Sequence, residues 1–228
     1  MSEIQSGDVH VWRATTASEQ FSHCHHLLSD AEAERAKRFL TAQNRDTYVL
    51  AHAMLRSLIG RYLGTGEARI DLAYSIYRKP FLPDSKLAFN LTHSADGVLI
   101  AIGWDRAIGI DLEAIQTLSD QEELIKVVMS GTERAMLSAL DNPERGAAFY
   151  QLWTRKEALL KATGAGLRHD MSSLTLDAPL EDADEKLNVM DALASTWTLV
   201  DLQLGSRWRG ALAAEGKITA LRHFSFAW

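Results

Sequence analysis

The stretch that most constrains the fold is Leu152-Trp153-Thr154-Arg155-Lys156-Glu157-Ala158-Leu159-Leu160-Lys161. It holds neither Gly nor Pro and is rich in good helix formers, with apolar residues at helical spacing, so it predicts a helix. At about 100° per residue, Phe149, Leu152, Trp153, Leu159 and Leu160 form one apolar arc, with Lys156 near its middle and Glu157 at its edge. A charge inside an arc meant for the core breaks a local rule, and such breaks cluster at functional sites. Lys161 lies one turn beyond Glu157 on the same side, where the two also read as an ordinary (i, i+4) surface pair.

The rest of the chain alternates strand and helix signals. Val9 to Trp12 alternates like a short strand. Ser29-Asp30-Ala31-Glu32 has the form of a capping box and opens a helix to about Leu40, whose Arg35, Lys37 and Arg38 read as a solvated face. A second helix is expected from about Arg45 to Leu63, ended by Gly64. Beyond Ile70, Lys79-Pro80-Phe81-Leu82-Pro83-Asp84 reads as a proline-stiffened loop and Ala88 to Ser94 as a strand ending in a polar cluster. Val98 to Ile102 and Ile108 to Leu112 look like a hairpin joined by Gly103 to Ala107.

Two more capping boxes, Ser119-Asp120-Gln121-Glu122 and Ser130-Gly131-Thr132-Glu133, open helices, and Asp141-Asn142-Pro143 interrupts them. The helix of Trp153 stops near Gly164-Ala165-Gly166. Strand-like pieces follow at Leu174 to Leu176, Trp197 to Val200, Arg209 to Ala213 and Ala220 to Phe224, with the acidic stretch Asp177 to Asp191 read as a loop. The order is α+β, in two similar-sized lobes with a boundary near Gln116.

Composition removes several classes of function. The N-terminal residues have neither a basic region nor an apolar core, so no signal peptide is expected. No apolar run approaches the roughly 18 residues of a membrane span. Cys24 is the only cysteine, which excludes an intrachain disulfide and a cysteine-based zinc site. These three features point to the cytoplasm and to no membrane partner. The net charge of −6 argues against nucleic-acid binding by bulk electrostatics.

In Ile108-Gly109-Ile110-Asp111-Leu112-Glu113 the isoleucines and Leu112 face one way, and Gly109, Asp111 and Glu113 the other. Two carboxylates on one strand face sit roughly 7 Å apart, close enough to converge on one cation. Such hard oxygen ligands suit Mg²⁺. The same pattern also reads as the solvated edge of a half-buried strand. Gly109 leaves room on that face for something to approach closely.

Gly109-Ile110-Asp111-Leu112-Glu113, followed about forty residues later by Trp153-Thr154-Arg155-Lys156-Glu157-Ala158 and Lys161, resembles the 4′-phosphopantetheinyl transferase superfamily. Its signature is a Gly-Ile/Val-Asp stretch and a later Phe/Trp-Ser/Cys/Thr-x-Lys-Glu-Ser/Ala-x-x-Lys stretch. Glu113 resembles the surfactin-type, two-lobed monomeric branch rather than the short trimeric one. Lys79-Pro80 and Phe89-Asn90-Leu91-Thr92-His93-Ser94 are similar to two further patches of that branch. The resemblance spans Ser29 to Leu167. Thr92 stands where the family usually has Ser, and Arg78 where Gly is common.

The resemblance implies two α/β lobes, 1–115 and 116–228, related by pseudo-two-fold symmetry with the active site at their interface. The first would carry the coenzyme A-binding patches and the Asp111 strand, the second the Trp153 helix. The implied reaction moves the phosphopantetheine arm of coenzyme A onto a serine of an apo carrier protein, releasing adenosine 3′,5′-bisphosphate. Asp111, Glu113 and Glu157 would hold Mg²⁺. Glu157 would take the serine proton directly or through a water, with Glu113 the alternative base. Lys161, and Lys156 as a second candidate, would face the pyrophosphate. Thr92 and His93 would meet a coenzyme A phosphate, Lys79 and Pro80 would lie beside the nucleotide, and Arg35 and Arg45 match basic positions assigned to a phosphate. The competing readings are a coenzyme A- or carrier-binding module of the same fold without turnover, and a generic Mg²⁺-dependent hydrolase.

Overall fold

The computed structural model describes residues 4–17, 24–66, 70–117, 120–164, 170–176, 187–190 and 196–228. In chain order the first elements are β1 (Asp8–Thr15), α1 (Asp30–Ala36), α2 (Ala42–Leu63), β2 (Ala73–Tyr74), β3 (Pro80–Phe81), β4 (Leu87–Ser94) and β5 (Gly97–Trp104). Then come β6 (Ile108–Ala114), α3 (Gln121–Val128), α4 (Gly131–Ser138) and α5 (Asn142–Thr163). The last strands are β7 (Leu187–Met190), β8 (Thr196–Asp201), β9 (Trp208–Glu215) and β10 (Ala220–Ser225). The fold is mixed α+β, in two compact units: Met1–Arg106 with Ile218–Trp228, and Ala107–Lys217.

In the first unit the strands order β10-β1-β5-β4, with β1 and β10 parallel and the other pairs antiparallel. Helix α2 starts at a Thr41 cap and ends at Gly64, whose φ of 66° lies in the left-handed region that glycine adopts without a Cβ penalty. Its Leu50, Met54, Leu55 and Leu58 pack with Trp12, Phe89, Ile100 and Ile102 of the sheet. The Ser29 capping box forms, and α1 stops at Ala36, short of the expected Leu40. Pro80 and Phe81, expected in a loop, pair with Ala73 and Tyr74 as a short ribbon.

In the second unit the order is β6-β9-β8-β7, all antiparallel. Helix α5 is buried on two sides. Ala158, Leu159 and Ala162 pack with Trp197, Leu199, Ala211 and Ala213 of the sheet. Phe149 and Leu152 pack with Ile125, Val128, Met129 and Leu137 of α3, α4 and the residues beside them. The Ser130 capping box forms on α4. Ser119 lies outside the described residues, and Asp120 takes the cap position of α3 without a side-chain hydrogen bond.

Four expectations need correction. Strands β5 and β6 are not a hairpin: β5 pairs with β4 and β1, whereas β6 pairs with β9 from Ile108↔Ala214 to Ala114↔Trp208. The division of the chain therefore falls at Arg106/Ala107 rather than 115/116, and Ile218–Trp228 belongs with the first unit because β10 hydrogen-bonds β1. Partnership in a ladder, not proximity in sequence, decides where a strand belongs. Leu174–Leu176 follows a 3-10 turn at Met171–Ser173 and is not a strand, and β7 lies inside the acidic stretch expected to be a loop.

Candidate active site

The site is built where β6 lies against α5. A Cβ on Gly109 would stand 2.0 Å from the Ala158 carbonyl oxygen and 2.4 Å from the Ala162 nitrogen. What approaches Gly109 is thus the backbone of α5. Because strand side chains alternate, Asp111 leaves the same face two residues on and meets the next part of the helix. It is 3% exposed, so the solvated-edge reading fails. Lys161 donates from Nζ to Asp111 Oδ1 at 2.5 Å and to the Ile110 carbonyl at 3.3 Å. Glu157, one turn earlier on α5, is 8% exposed. Burial first, and then the charge of Asp111, push its carboxyl pKa above the usual range, while Lys161 pulls it down. Asp111, Glu157 and Lys161 are therefore brought together, and the surface-pair reading of Glu157 and Lys161 does not hold.

Glu113 is half-buried, and its charge is felt by the phenol of Tyr150, which donates to the Gln116 carbonyl at 3.3 Å. Among the described residues no three His, Cys, Asp or Glu side chains stand close enough to enclose a metal ion. The donor chemistry of Asp111 and Glu157 nevertheless fits Mg²⁺. Two buried carboxylates, one of which raises the pKa of the other, are relieved by a divalent cation, which keeps waters and takes further ligands from phosphates.

Lys156 is a correction. Its side chain is fully buried, and Nζ donates to Val128 O at 2.9 Å, Glu133 Oε2 at 2.5 Å and Met171 O at 2.8 Å. An ammonium has three donors, so this one has none left for a phosphate. Next to it, Arg155 grips Asp201 of β8 in bidentate fashion, Nε to Oδ1 at 2.9 Å and Nη2 to Oδ2 at 2.5 Å. The sequence marks Glu133 as a capping acid, but marks neither Glu133 nor Asp201 as the partner of a cation on α5. A lysine in the middle of an apolar arc demands a buried acid, and the spacing alone does not name which one.

The remaining candidates lie in the first unit. Thr92 is buried and His93 exposed at successive positions of β4, so their side chains leave opposite faces of the sheet. The backbone of Lys79 closes the turn between β2 and β3, its N–H donating to Ser75 Oγ at 3.2 Å and its carbonyl accepting from Ser75 N–H at 2.9 Å; Pro80 follows on β3. Arg78, where glycine is common, sits in this turn at a φ of 62°. The exposed Arg35 stacks over Tyr48 at 5.5 Å, and the exposed Arg45 donates to Asp46 at 3.0 Å.

A buried cluster went unread in the sequence. Glu32 accepts from Arg56 Nε at 2.7 Å and lies 3.0 Å from His52 Nδ1. Burial pushes its carboxyl up, but the hydrogen bonds from His52, Arg56 and the Ser29 N–H outweigh that and bring it to about 2.

Residues 107–214 match the family described as 4′-phosphopantetheinyl transferase superfamily, and residues 10–104 match 4′-phosphopantetheinyl transferase, N-terminal. The junction of these matches coincides with the division between the two units. The chain is 34% identical over 219 residues to the 4′-phosphopantetheinyl transferase HetI of Nostoc sp., covering 93% of this chain and 90% of that one. The chain belongs to the 4′-phosphopantetheinyl transferase superfamily. It is also 32% identical over 151 residues to the 4′-phosphopantetheinyl transferase Sfp of Bacillus subtilis, covering 66% of each. A crystal structure of the Thermotoga maritima holo-acyl-carrier-protein synthase AcpS aligns with 49% of this chain and 63% of its own, at 19% identity and a TM-score of 0.37. In this superfamily member no helix, among the described residues, is long and apolar enough to cross a membrane.

Proposed function

We propose that this protein transfers the 4′-phosphopantetheine arm of coenzyme A to a serine hydroxyl of an apo carrier protein. The observation that carries the reading is the cluster of Asp111, Glu157 and Lys161, seated where Gly109 lets β6 touch α5. In the reaction the serine oxygen forms a bond to the phosphorus bearing the pantetheine arm. The phosphorus–oxygen bond to the nucleotide half breaks, and adenosine 3′,5′-bisphosphate leaves.

Glu157 takes the serine proton, directly or through one water. Its raised pKa makes it a stronger base than an exposed glutamate. Lys161, whose ammonium is already fixed against Asp111, faces the leaving phosphate and stabilises the charge that grows there. Mg²⁺ would be held by Asp111 and Glu157, with Glu113 as the third candidate ligand, and would neutralise pyrophosphate charge. His93, Thr92, Lys79 and Pro80 are the candidate coenzyme A contacts in the first unit. Arg35 and Arg45 are weaker candidates, being engaged with Tyr48 and Asp46. The single cysteine, Cys24, which is buried, suits a reducing cytoplasm, and the protein is proposed to act as a monomer.

The two units share a design, which supports reading them as copies of one lobe. Each has a Ser-x-x-Glu capped helix, with Glu32 or Glu133 as the capping acid. Each then has a 22-residue helix ended by a left-handed glycine, Gly64 or Gly164. In each, the capping acid pairs with a cation on that long helix, Arg56 or Lys156.

The test incubates the protein with coenzyme A, Mg²⁺ and a panel of apo carrier domains, and reads the mass of the carrier. A phosphopantetheine adduct with wild type and none with Asp111→Asn supports the reading. A carrier left at its apo mass across the panel, with coenzyme A bound, would make the protein a binding module; free coenzyme A cleavage would make it a hydrolase.

A further inference from the structure

The buried lysine beside the proposed base has a different task from the phosphate contact implied by the signature. Its three acceptors come from three places: Val128 ends α3, Glu133 is on α4, and Met171 opens the turn after α5. Glu133 is itself a hub, buried at 1% exposure. It accepts from Ser130 N–H through Oε2 at 2.8 Å and from Leu176 N–H through Oε1 at 3.1 Å, besides Lys156. The pair therefore pins α5 to α3, α4 and the turn at Met171–Ser173.

Successive helix residues stand about 100° apart, so fixing Lys156 fixes the direction in which Glu157 points and, one turn on, that of Lys161. On the other side of the helix Gly109 allows no rotation without a clash or a gap. We propose that Glu133 and Lys156 are positioning residues that hold Glu157 and Lys161 against Asp111, and that Lys156 makes no contact with substrate. This rests on the transferase reading above, and it assigns a role to Glu133, which lies outside both signature stretches.

The experiment compares Glu133→Gln, Lys156→Met, the double variant and Lys161→Ala. For each it measures kcat, KM and Kd for coenzyme A, and amide hydrogen exchange along α5. Misplacing a reacting group by about 1 Å can cost 10²-fold, so kcat per folded molecule falls by roughly ten- to a hundredfold in Glu133→Gln and Lys156→Met. The coenzyme A Kd stays within about twofold in both, and the double variant is no worse than either single, as for two residues acting as one unit. Lys161→Ala, by contrast, weakens coenzyme A binding. The double variant leaves no lone buried charge, and so keeps the test open if a single variant fails to fold.

Loss of coenzyme A affinity in Lys156→Met equal to that in Lys161→Ala, and absent in Glu133→Gln, would overturn the proposal. So would unchanged kcat with only a lower melting temperature, the mark of a purely structural pair. The exchange data separate this from failure of the transferase reading. If wild type modifies no carrier, faster exchange over 153–161 in Glu133→Gln still supports the positioning role, and unchanged exchange rejects it.

Discussion

The Lys161 ammonium lies 2.5 Å from Asp111 Oδ1, a charge-assisted hydrogen bond that crosses from the last turn of α5 to the middle of β6. It joins the two signature stretches of the chain at one point. It also means that Asp111, which is buried, has a counter-charge beside it in Lys161 before any cation binds.

Gly109→Ala is expected to damage both stability and turnover. The new methyl would meet backbone atoms of Ala158 and Ala162, which cannot swing aside as a side-chain tip would. Overpacking of this kind costs about 1–3 kcal/mol, and here it displaces the helix that carries Glu157 and Lys161. A chemical melt together with the carrier mass shift checks it; wild-type behaviour in both would show that β6 and α5 are not in this contact.

Glu157→Gln should raise stability while removing activity. The folded pKa of Glu157 is raised above its ordinary value of 4.5, so ionising it costs the folded state free energy as pH climbs through the folded pKa. Gln removes that penalty, and the metal-free variant should melt higher than wild type near neutral pH. Loss of general-base catalysis lowers kcat by about 10²–10⁴-fold. A variant retaining more than about a tenth of wild-type kcat would move the base to Glu113 or to a water.

Mg²⁺ should act as a stabilising ligand even without substrate. For chelator-treated wild type, Mg²⁺ at about a hundred times its Kd adds about 2.7 kcal/mol. In Asp111→Asn the increment should largely vanish, since one of two adjoining carboxylates is gone. Equal increments in both proteins would place the ion elsewhere.

Mild acidification should remove the stability that depends on a neutral His10. Its Nδ1 lies 2.5 Å from Tyr62 Oη, which also accepts from Trp12 Nε1 at 3.0 Å; the other ring nitrogen, Nε2, is buried with no partner among the described residues. Burial and then Arg222 hold its pKa below 6.5, against the opposing pull of Asp8. A histidine with a lowered folded pKa contributes stability that is complete above the unfolded value and is lost as pH falls through the folded one. His10 should therefore pull the melting temperature down as pH falls below about 6.5, against the opposite pull of Glu157, so His10→Phe should lose less stability over that range than wild type. His223, lowered by burial and Arg13, leaves a residual slope. Glu32, at about 2, stays ionised throughout. Equal slopes in the two proteins would exclude His10 as the source.

Arg78→Gly should stabilise the first unit. The left-handed φ of 62° strains any residue with a Cβ, by about 1–2 kcal/mol. The greater freedom of glycine in the unfolded chain takes back about half of that, so a rise of a few degrees in the melting temperature is expected. A fall would show that the arginine side chain, rather than the backbone, holds the turn.

Local signals made the parts of this molecule readable in advance. Gly64 and Gly164 ended the two long helices where a left-handed residue was needed, and Ser29 and Ser130 opened α1 and α4 through hydrogen bonds spanning three residues. The alternation around Asp111 and the spacing of Glu157 and Lys161 likewise lie within single elements, and together they carried the family resemblance. Tertiary structure decided which elements meet. That β6 pairs with β9 rather than β5, and that β10 returns to β1, depends on ladders between residues more than ninety positions apart. The same holds for the charge that looked misplaced. No rule of helical spacing says what will neutralise Lys156, because its partner Glu133 lies 23 residues away in another helix and meets it only once both are buried. Short-range hydrogen bonding and periodicity write themselves into neighbouring residues; pairing at a distance is selected by the packing of the whole unit, and only there does a lysine in an apolar arc become a structural one.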